Sequence, residues 1–352
     1  MSHSEIRYVD LFCGIGGFRY ALEQAARKRS MLLNCVFSSD IDSECQKSYQ
    51  ANFGELPHGD ITRIYESSIP NHDILLAGFP CQPFSIIGHK KGFEDTRGTL
   101  FFDIARILSA KRPKAFVLEN VKLLAGHDQG KTLKKILSTL HELGYDTHHR
   151  ILNALDYGLP QKRERIWIVG FLEPNLFAWP EGSDHRPTLE TILESKVPAK
   201  FYASKHIQDK RFQALTKTSQ PMIWHENKAG HISAHPYSCA LRAGASYNYL
   251  LVNGERRLTP REMLRLQGFP ESFQIVCSDS QTRKQAGNSL PVSVAEAVLY
   301  NVLEALDWGS HNARARTLPT QARLLEKPYS HKLNEKSKTK NRPKVSTTLC
   351  PK

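Results

Sequence analysis

The chain has 352 residues, of which 40% are apolar and 24% are charged, an ordinary globular composition that can build a large core. No apolar run approaches the roughly 20 residues of a membrane-spanning helix, and the N-terminus lacks the layout of a signal peptide. The composition therefore favours a soluble, cytoplasmic protein that does not bind membranes.

The net charge of +13 is concentrated at the C-terminus. Residues 309–352 hold eleven Lys and Arg against two Glu, a net charge of +9, which leaves +4 for the other 308 residues. A basic surplus indicates a polyanionic partner, although a solvated, disordered extension is the simpler interpretation of the tail itself.

The seven cysteines are scattered, odd in number and without a CxxC pair, which argues against a disulfide framework. Only His231, His235 and Cys239 have a spacing typical of metal ligands. Pro236 interrupts the helix that would align them, and a fourth ligand is missing from the pattern. We expect ordinary loop residues there and no metal.

Strands and helices alternate in the first half of the chain. Strands are predicted at residues 6–12, 34–40, 73–78, 115–121 and 165–171, with helical patterns after the first four, including one over 43–52. This alternation predicts an α/β fold with a mostly parallel sheet and helices on both faces.

The pattern weakens after residue 172, where Pro, His, Asn and Ser become frequent. Residues 258–269 predict a helix with Thr259 as N-cap and Pro260 at its first position, and residues 290–306 predict the last helix. We expect a main domain of residues 1–172 and 289–308, a smaller irregular domain of 173–288, and a disordered basic tail of 309–352.

The stretch "DLFCGIGGF" forms a glycine-rich turn between the first strand and helix. It is not the dinucleotide fingerprint, because Arg19 stands where the third glycine would be. Asp40 ends the second predicted strand and Asp60 ends what we expect to be the next one. Each acid alone is more often a cap or turn residue, but together they favour an adenosyl ligand without a pyrophosphate, S-adenosylmethionine.

Cys81 lies between Pro80 and Pro83, just past the third of these strands, where open α/β sheets bind ligands. A buried, inert thiol is the alternative to a nucleophile. Glu119 ends another strand among apolar residues, which raises the pKa of a carboxyl group. Arg163 and Arg165 follow at strand spacing and could bind a carboxylate, a phosphate or a pyrimidine oxygen, or form only a surface charge cluster.

The ordered motifs "DLFCGIGGF", "GFPCQPFS", "ENV", "QKRER", "RRLTPREMLRLQGFP" and "AGNSLP" resemble those of the bacterial type II DNA (cytosine-5) methyltransferases. The resemblance runs from about residue 7 to residue 306 and implies a Rossmann-like, S-adenosylmethionine-dependent methyltransferase fold. Residues 173–253 correspond to the variable target-recognition region of that family, and the tail has no counterpart.

The resemblance implies that Cys81 adds to C6 of a cytosine flipped out of the duplex while Glu119 protonates N3. C5 then takes the methyl group, and loss of its proton releases Cys81. Arg165 corresponds to the arginine that contacts the base O2, Arg163 would support the site and the DNA backbone, and Asn120 would hold the turn after Glu119. Residues 85–99 resemble a loop that closes over the base.

The same matching assigns cofactor contacts to Phe12, Gly14, Ile15, Gly16, Gly17, Asp40, Ile41, Asp60, Ile61, Pro80, Leu100, Asn288 and Ser289. DNA contacts are expected at Gln82, Ser85, Lys90, Lys91, Arg97 and Arg242. Ile41 departs from the family, in which that position is often aromatic, so the adenine should pack less tightly there.

Three alternatives remain open at this stage. A transfer-RNA methyltransferase shares the fold, but those relatives typically have a second proline where this chain has Phe79. An inactive DNA-binding relative conflicts with the intact catalytic set, and an NAD-linked oxidoreductase conflicts with Arg19. The family further implies double-stranded DNA as partner, a restriction endonuclease acting on the same sequence, a monomer, and a DNA-associated place in a bacterial cytoplasm.

Overall fold

A six-stranded sheet crosses the centre of the protein. The computed structural model describes residues 5–80 and 100–311, with side chains through residue 307. The strands of this sheet are β1 (Ile6–Leu11), β2 (Leu33–Ser39), β3 (Ile74–Gly78), β4 (Ala115–Val121), β5 (Asp146–Asn153) and β7 (Glu164–Phe171). The strand order is β2-β1-β3-β4-β7-β5, where β1 to β4 are parallel and the last two are antiparallel to their neighbours.

Helices cover both faces of this sheet, as the alternation of elements predicts. Helices α1 (Gly17–Lys28) and α8 (Val292–His311) contribute to the core on one face, and α3 (Leu100–Lys111) and α4 (Lys131–Glu142) to the core on the other. Within β3, Ile74 and Leu76 point to the first core and Leu75 and Ala77 to the second. Because β3 is buried on both faces, its sequence is a continuous apolar run rather than an alternating one.

The remaining elements lie mostly in the part of the chain with weak periodicity. Helix α5 (Lys205–Ala214) accompanies a three-stranded antiparallel sheet of β8 (Ile223–Glu226), β9 (Ile232–His235) and β11 (Leu250–Val252). Strands β6 (Gln161–Lys162) and β10 (Ser238–Cys239) form a short parallel pair, and α2 (Ser43–Phe53), α6 (Pro260–Gln267) and α7 (Asp279–Asn288) complete the set.

Several predicted elements agree with the structure to within a few residues, and two predictions were wrong. The loop expected around His235 and Cys239 contains two short strands, because these residues end β9 and β10. Residues 59–61 do not end a strand: Asp60 caps a single 3-10 turn at Ile61–Arg63, and only an isolated bridge joins Ser39 to His58 there. A short side chain that accepts the N–H two residues on favours such a turn over a strand.

The division into a main domain, a smaller domain and a tail stays a prediction, and residues 312–352 lie outside the described part of the chain. Among the described helices, none alone is long and apolar enough to cross a membrane; only α7 with residues 292–307 of α8, bent by 40°, meets that test of length and composition as a pair.

Candidate active site

A cavity of about 740 Å³ opens at the edge of the sheet where the parallel strands β1 to β4 end. Strand β7 runs the other way and begins at this edge, since Arg165 pairs with Val121 in the ladder. The topology therefore gathers the segments that follow four strands, and the start of a fifth, around one space. Twelve of the thirteen predicted cofactor residues line it: Phe12, Gly14, Ile15, Gly17, Asp40, Ile41, Asp60, Ile61, Pro80, Leu100, Asn288 and Ser289.

Asp40 is held by backbone N–H groups from both sides. Gly14 donates to its Oδ2 and Asp42 to its Oδ1, each at 2.8 Å. Burial raises the pKa of this carboxyl group, and the two N–H donors oppose that rise. Each carboxylate oxygen has a further lone pair, so Asp40 can still accept hydrogen bonds from a ligand in the cavity.

Gly16 is the one predicted cofactor residue that does not line the cavity. Its φ is +84°, and a Cβ there would lie 2.1 Å from Cε2 of Phe53. The glycine is therefore required by the left-handed turn and by the packing of an aromatic ring from α2, not by contact with the space where a ligand would bind.

Glu119, in β4, is buried with its Oε1 2.9 Å from Nε of Arg165. Burial is the larger influence and raises the pKa of the carboxyl group, while the two arginines Arg165 and Arg163 act against it. A carboxyl group in this setting can hold a proton nearer neutral pH than an exposed one, which suits a proton donor.

Asn120 joins the segments after β3 and β4. Its Nδ2 donates to the carbonyl of Phe79 at 2.9 Å, and its Oδ1 accepts the N–H of Val121 at 2.8 Å. The side chain thus ties the residue next to Glu119 to the chain one residue before Pro80. This fixes the distance between Glu119 and the prolyl segment.

Arg163 is only 1% exposed, and its guanidinium donates hydrogen bonds to three backbone carbonyls. Nη1 donates to Leu241 at 2.9 Å, and Nη2 donates to Gly287 at 3.0 Å and to Ser289 at 2.6 Å. Burial lowers the pKa of this side chain to about 9, with the nearby Arg165 acting in the same direction. Arg163 lines the cavity and joins its own segment to those of Leu241 and of Gly287 and Ser289, so its geometry is that of a supporting residue.

Ile41 and Asp60 lie at the rim of the cavity. Ile41 is 75% exposed, so an apolar ligand group could cover it. The pKa of Asp60 is lowered by hydrogen bonds from the side chain and backbone of Thr62, which occupy Oδ1. Oδ2 remains near Arg63, at 3.5 Å from its Nε.

The remaining predicted residues divide into two groups. Arg242 is exposed, makes no ion pair with another described residue, and has its guanidinium 4.8 Å from the ring centroid of Tyr249. The predictions for Cys81, Gln82, Ser85, Lys90, Lys91 and Arg97 concern residues outside the described part of the chain.

Sequence reasoning missed several residues that line the cavity, among them Cys13, Phe18, Asp42, Cys45 and Lys284. One signal was available: Asp42 stands directly before the predicted helix at residue 43, and its side chain caps α2 by accepting the N–H of Glu44. No comparable signal existed for Lys284, because its helix is polar and was not predicted. Within the described residues, no group of three or more His, Cys, Asp or Glu side chains is arranged to hold a metal ion.

Comparison with known proteins gives one consistent result. The family described as C-5 cytosine-specific DNA methylase matches residues 6–304. The chain is 54% identical to the type II methyltransferase M.HaeII of Haemophilus aegyptius, over 87% of this chain and 95% of that protein. It is 56% identical to the type II methyltransferase M.NgoBI of Neisseria gonorrhoeae, over 82% and 90%.

Solved structures show the same fold. The Dnmt2 methyltransferase of S. pombe superposes with a TM-score of 0.63 at 20% identity, over 86% of this chain and 99% of that one. A prophage-encoded putative DNA modification methyltransferase of E. coli gives a TM-score of 0.60 at 20% identity, with the same coverage.

Proposed function

Because the chain belongs to the family of C-5 cytosine-specific DNA methylases, we propose that its cavity holds S-adenosylmethionine beside a cytosine ring presented to Glu119. The observation that carries this proposal is that Asp40 and Glu119 line one continuous space at the edge of the sheet. The family assignment makes the protein a DNA (cytosine-5-)-methyltransferase. The roles of its individual residues, its cofactor and its partners are what we propose.

The cavity fits an adenosyl ligand. Asp40 offers free lone pairs to ribose hydroxyls, Asp60 lies at the rim within reach of an amino group, and Phe12 and Ile41 supply apolar surface. An adenosyl group has one flat ring and hydroxyl groups that can donate hydrogen bonds. The apolar side chains can cover the ring, and the separate carboxylates can accept the hydrogen bonds. When bound, S-adenosylmethionine supplies an electrophilic methyl group on a sulfonium sulfur.

We assign the activation of the cytosine to two side chains. The Cys81 thiolate adds to C6 and forms an S–C bond, while Glu119 gives its proton to N3, so that C5 becomes nucleophilic. After methylation, water takes the C5 proton as the S–C bond to Cys81 breaks, and N3 returns its proton to Glu119, which restores the ring. Pro80, which immediately precedes Cys81, lines the cavity, and the raised pKa of Glu119 supports the acid role.

The two arginines have different parts in this proposal. Arg165 borders the cavity next to Glu119, where it would orient that carboxyl group and contact the base O2. Arg163 acts as a positioning residue, because all three of its guanidinium hydrogen bonds go to carbonyls that surround the site.

The DNA is double-stranded in this proposal, and the target base is flipped out because C5 and C6 are inaccessible in the stack. Among described cations of the target region, Lys200, Lys205 and Lys210 have carboxylate partners and Arg211 is buried. Arg242 is exposed and unpaired among the described residues, which supports a role in DNA binding. Gln82, Ser85, Lys90, Lys91 and Arg97 keep their proposed DNA contacts on sequence grounds alone.

The type II methyltransferases among the relatives support a role as the modification enzyme that protects DNA from a restriction endonuclease of the same specificity. We propose that the protein acts as a monomer in a bacterial cytoplasm and forms no stable complex with that endonuclease.

The test is base-resolution sequencing of methylated cytosines in host DNA after expression of the wild-type chain. Cys81→Ala tests the nucleophile, and Cys350→Ala, which lies outside every motif, is its matched control. We expect 5-methylcytosine in one short recurring sequence with the wild type and with Cys350→Ala, and none with Cys81→Ala.

Two outcomes would overturn parts of the proposal. Methylation that persists in Cys81→Ala would remove Cys81 from the mechanism. A purified protein that binds S-adenosylmethionine but leaves DNA unmethylated would point to a different nucleic acid substrate.

A further inference from the structure

Helix α7 lies between the proposed cofactor cavity and the loop that carries Arg242. Two adjacent residues of the helix reach in different directions. Arg283 donates through Nη2 to the carbonyls of Ala245 and Ser246, at 2.5 and 3.0 Å, and its guanidinium lies 4.6 Å from the ring centroid of Tyr247. Lys284 places its Nζ 2.7 Å from Oδ2 of Asp42 at the edge of the cavity.

The carboxylate that Lys284 binds belongs to the residue that orients Asp40. The N–H of Asp42 donates to Oδ1 of Asp40 at 2.8 Å. Asp42 therefore supplies one of the two N–H groups that fix Asp40, the residue proposed to bind the ribose. The side chain of Asp42 accepts both the N–H of Glu44 and the ammonium of Lys284. Lys284 itself lines the cavity, and through Asp42 it also acts on the orientation of Asp40.

Further contacts attach α7 firmly on both sides. Gln285 donates to the carbonyl of Glu44 at 2.8 Å and accepts the hydroxyl of Ser48 at 3.2 Å, which fixes the helix to α2. On the other side, a Cβ on Gly287 would lie 2.5 Å from the backbone nitrogen of Ala243. The backbone of α7 therefore packs directly against the loop, and a displacement of that loop must move the helix or break these contacts.

We propose that Lys284 is a positioning residue through which the loop at residues 242–249 and the cofactor affect each other's binding. Contact of DNA with the loop acts on α7 through Arg283, and Lys284 passes the change to Asp42 and so to Asp40. Any coupling of this kind is reciprocal: the cofactor strengthens DNA binding by the same factor as DNA strengthens cofactor binding. This inference rests on the proposed function, because it needs the cavity to bind the cofactor and the loop to face DNA.

The experiment measures the Kd of the reaction product S-adenosylhomocysteine by calorimetry on the full chain. The Kd is measured for the protein without DNA and again with a saturating DNA duplex. The duplex carries the short sequence that the methylation-sequencing experiment identifies. Lys284→Met keeps the length of the side chain and removes the charge. We expect its Kd without DNA to rise by about 1.5-fold to fivefold, the range of one lost surface ion pair, and the ratio of the two Kd values to move towards one.

Two further variants separate coupling from loss of structure. Arg283→Met should keep the wild-type Kd without DNA and weaken the effect of DNA, because it removes one of the two links to the loop and leaves the packing of Gly287 on Ala243. Lys47→Met removes a comparable ion pair with Glu44 on the same helix α2, away from the cavity, and should match the wild type in both measurements.

The inference is overturned if the wild-type ratio is one, or if Lys284→Met and Arg283→Met keep the wild-type ratio, whatever their thermal stability. A wild-type chain that does not bind S-adenosylhomocysteine at all would instead contradict the proposed function.

Discussion

Burial and a neighbouring cation act on Glu119 in opposite directions. Loss of hydration raises the pKa of the carboxyl group, and the Arg165 guanidinium 2.9 Å away limits that rise. The arginine also fixes the direction of the carboxyl group, which a proton donor needs as much as a suitable pKa. In the proposed reaction only the protonated form of Glu119 is active, so activity should fall as the pH rises through its pKa.

We expect Glu119→Gln to lower kcat by about 10² to 10⁴, because the amide keeps the shape of the side chain but cannot deliver the proton. The Kd of S-adenosylhomocysteine should change by less than about twofold, since the proposed cofactor contacts lie on other segments of the chain. Single-turnover methylation and calorimetry measure the two quantities.

Glu164→Gln is the matched control for Glu119→Gln. This residue begins β7 beside Arg165, but its carboxylate pairs with Lys122 near the surface. Its kcat should stay within about threefold of the wild type. A similar loss in both variants would mean that the fall in activity reflects general damage to this edge of the sheet.

Asp10 is a second buried carboxyl group, and the proposed reaction does not use it. It lies in β1, fully buried, and neither carboxyl oxygen has a hydrogen-bond partner among the described residues. Burial raises the pKa of this carboxyl group to about 8. The charge of Arg19 lowers the pKa, and the charge of Asp40 raises it. The native protein therefore binds a proton here over a pH range in which the unfolded chain has released it.

Because the native and unfolded states bind different numbers of protons, the free energy of unfolding depends on pH. Between the unfolded pKa and about 8 the native state holds more protons than the unfolded state, so the free energy of unfolding falls as the pH rises. Asp10→Asn has no proton to lose. We expect its stability relative to the wild type to increase by about 3 kcal/mol between about pH 6 and about pH 9.

Urea denaturation at the two pH values measures this difference for Asp10→Asn. Asp209→Asn, which removes an exposed carboxyl group on α5, is the control for the general loss of a negative charge. A relative stability of Asp10→Asn that does not depend on pH would mean that Asp10 ionises normally in the native protein.

At the scale of whole elements, α6 shows how local sequence fixes a helix start. Thr259 accepts the N–H of Glu262, and the Glu262 side chain accepts the N–H of Thr259, which completes a capping box with Pro260 at the first helical position. Arg256 binds both oxygens of the same glutamate, at 2.9 and 2.8 Å. The cap is therefore part of a buried network rather than an isolated pair.

We expect Thr259→Ala to lower the free energy of unfolding by about 1–2 kcal/mol, the usual effect of a lost N-cap, increased here by the lost hydrogen bond to Glu194. Thr259→Ser keeps the hydroxyl and should lose only about 0.8 kcal/mol, the value of one buried methyl group. Urea denaturation compares the two variants. Equal losses would mean that the methyl group of Thr259, not its hydroxyl, stabilises the helix.

Some helices and strands could be predicted from the sequence, and others could not. Strand β3 and helix α6 carry strong local signals, a continuous apolar run in one and a cap in the other, and both were predicted within about two residues. Strand β5 was missed because it is an edge strand with mostly exposed polar residues. Helix α7 was missed because it is polar throughout, and its stability comes from the tertiary contacts of Gln285 and Gly287.

Some residues of the candidate site could likewise be predicted from the sequence, and others could not. Residues at the end of a predicted strand, such as Asp40 and Glu119, could be assigned to one edge of the sheet because parallel strands end together. Lys284 could not, since its place depends on how a distant helix docks on α2. The motif containing Gly16 was predicted, but the contact with Phe53 that requires a glycine depends on tertiary packing.

For the whole molecule, the distribution of charge separates two kinds of DNA binding. The chain up to residue 308 has a net charge of only +4, whereas residues 309–352 carry +9. Nonspecific affinity for DNA depends on the number of phosphates that cations neutralise, and it falls with salt concentration for the same reason. In the proposed function, specific methylation depends instead on the cavity and on the contacts around Arg242, which lie outside the tail.

Truncation after residue 311 removes all eleven Lys and Arg of the tail and retains α8 as described. We expect single-turnover methylation of a target duplex to stay within about twofold of the wild type. Binding to a duplex without the target should weaken, and its dependence on salt should become less steep by about 0.9 per lost phosphate contact.

A second chain distinguishes charge from length in this experiment. In it the eleven basic residues of the tail are replaced by Gln and the tail keeps its full length. If positive charge is responsible, this chain should match the truncated one in affinity and salt dependence. Unchanged nonspecific affinity and an unchanged salt slope in both would show that the basic tail does not bind DNA, and the +4 of the remaining chain would then have to account for nonspecific binding.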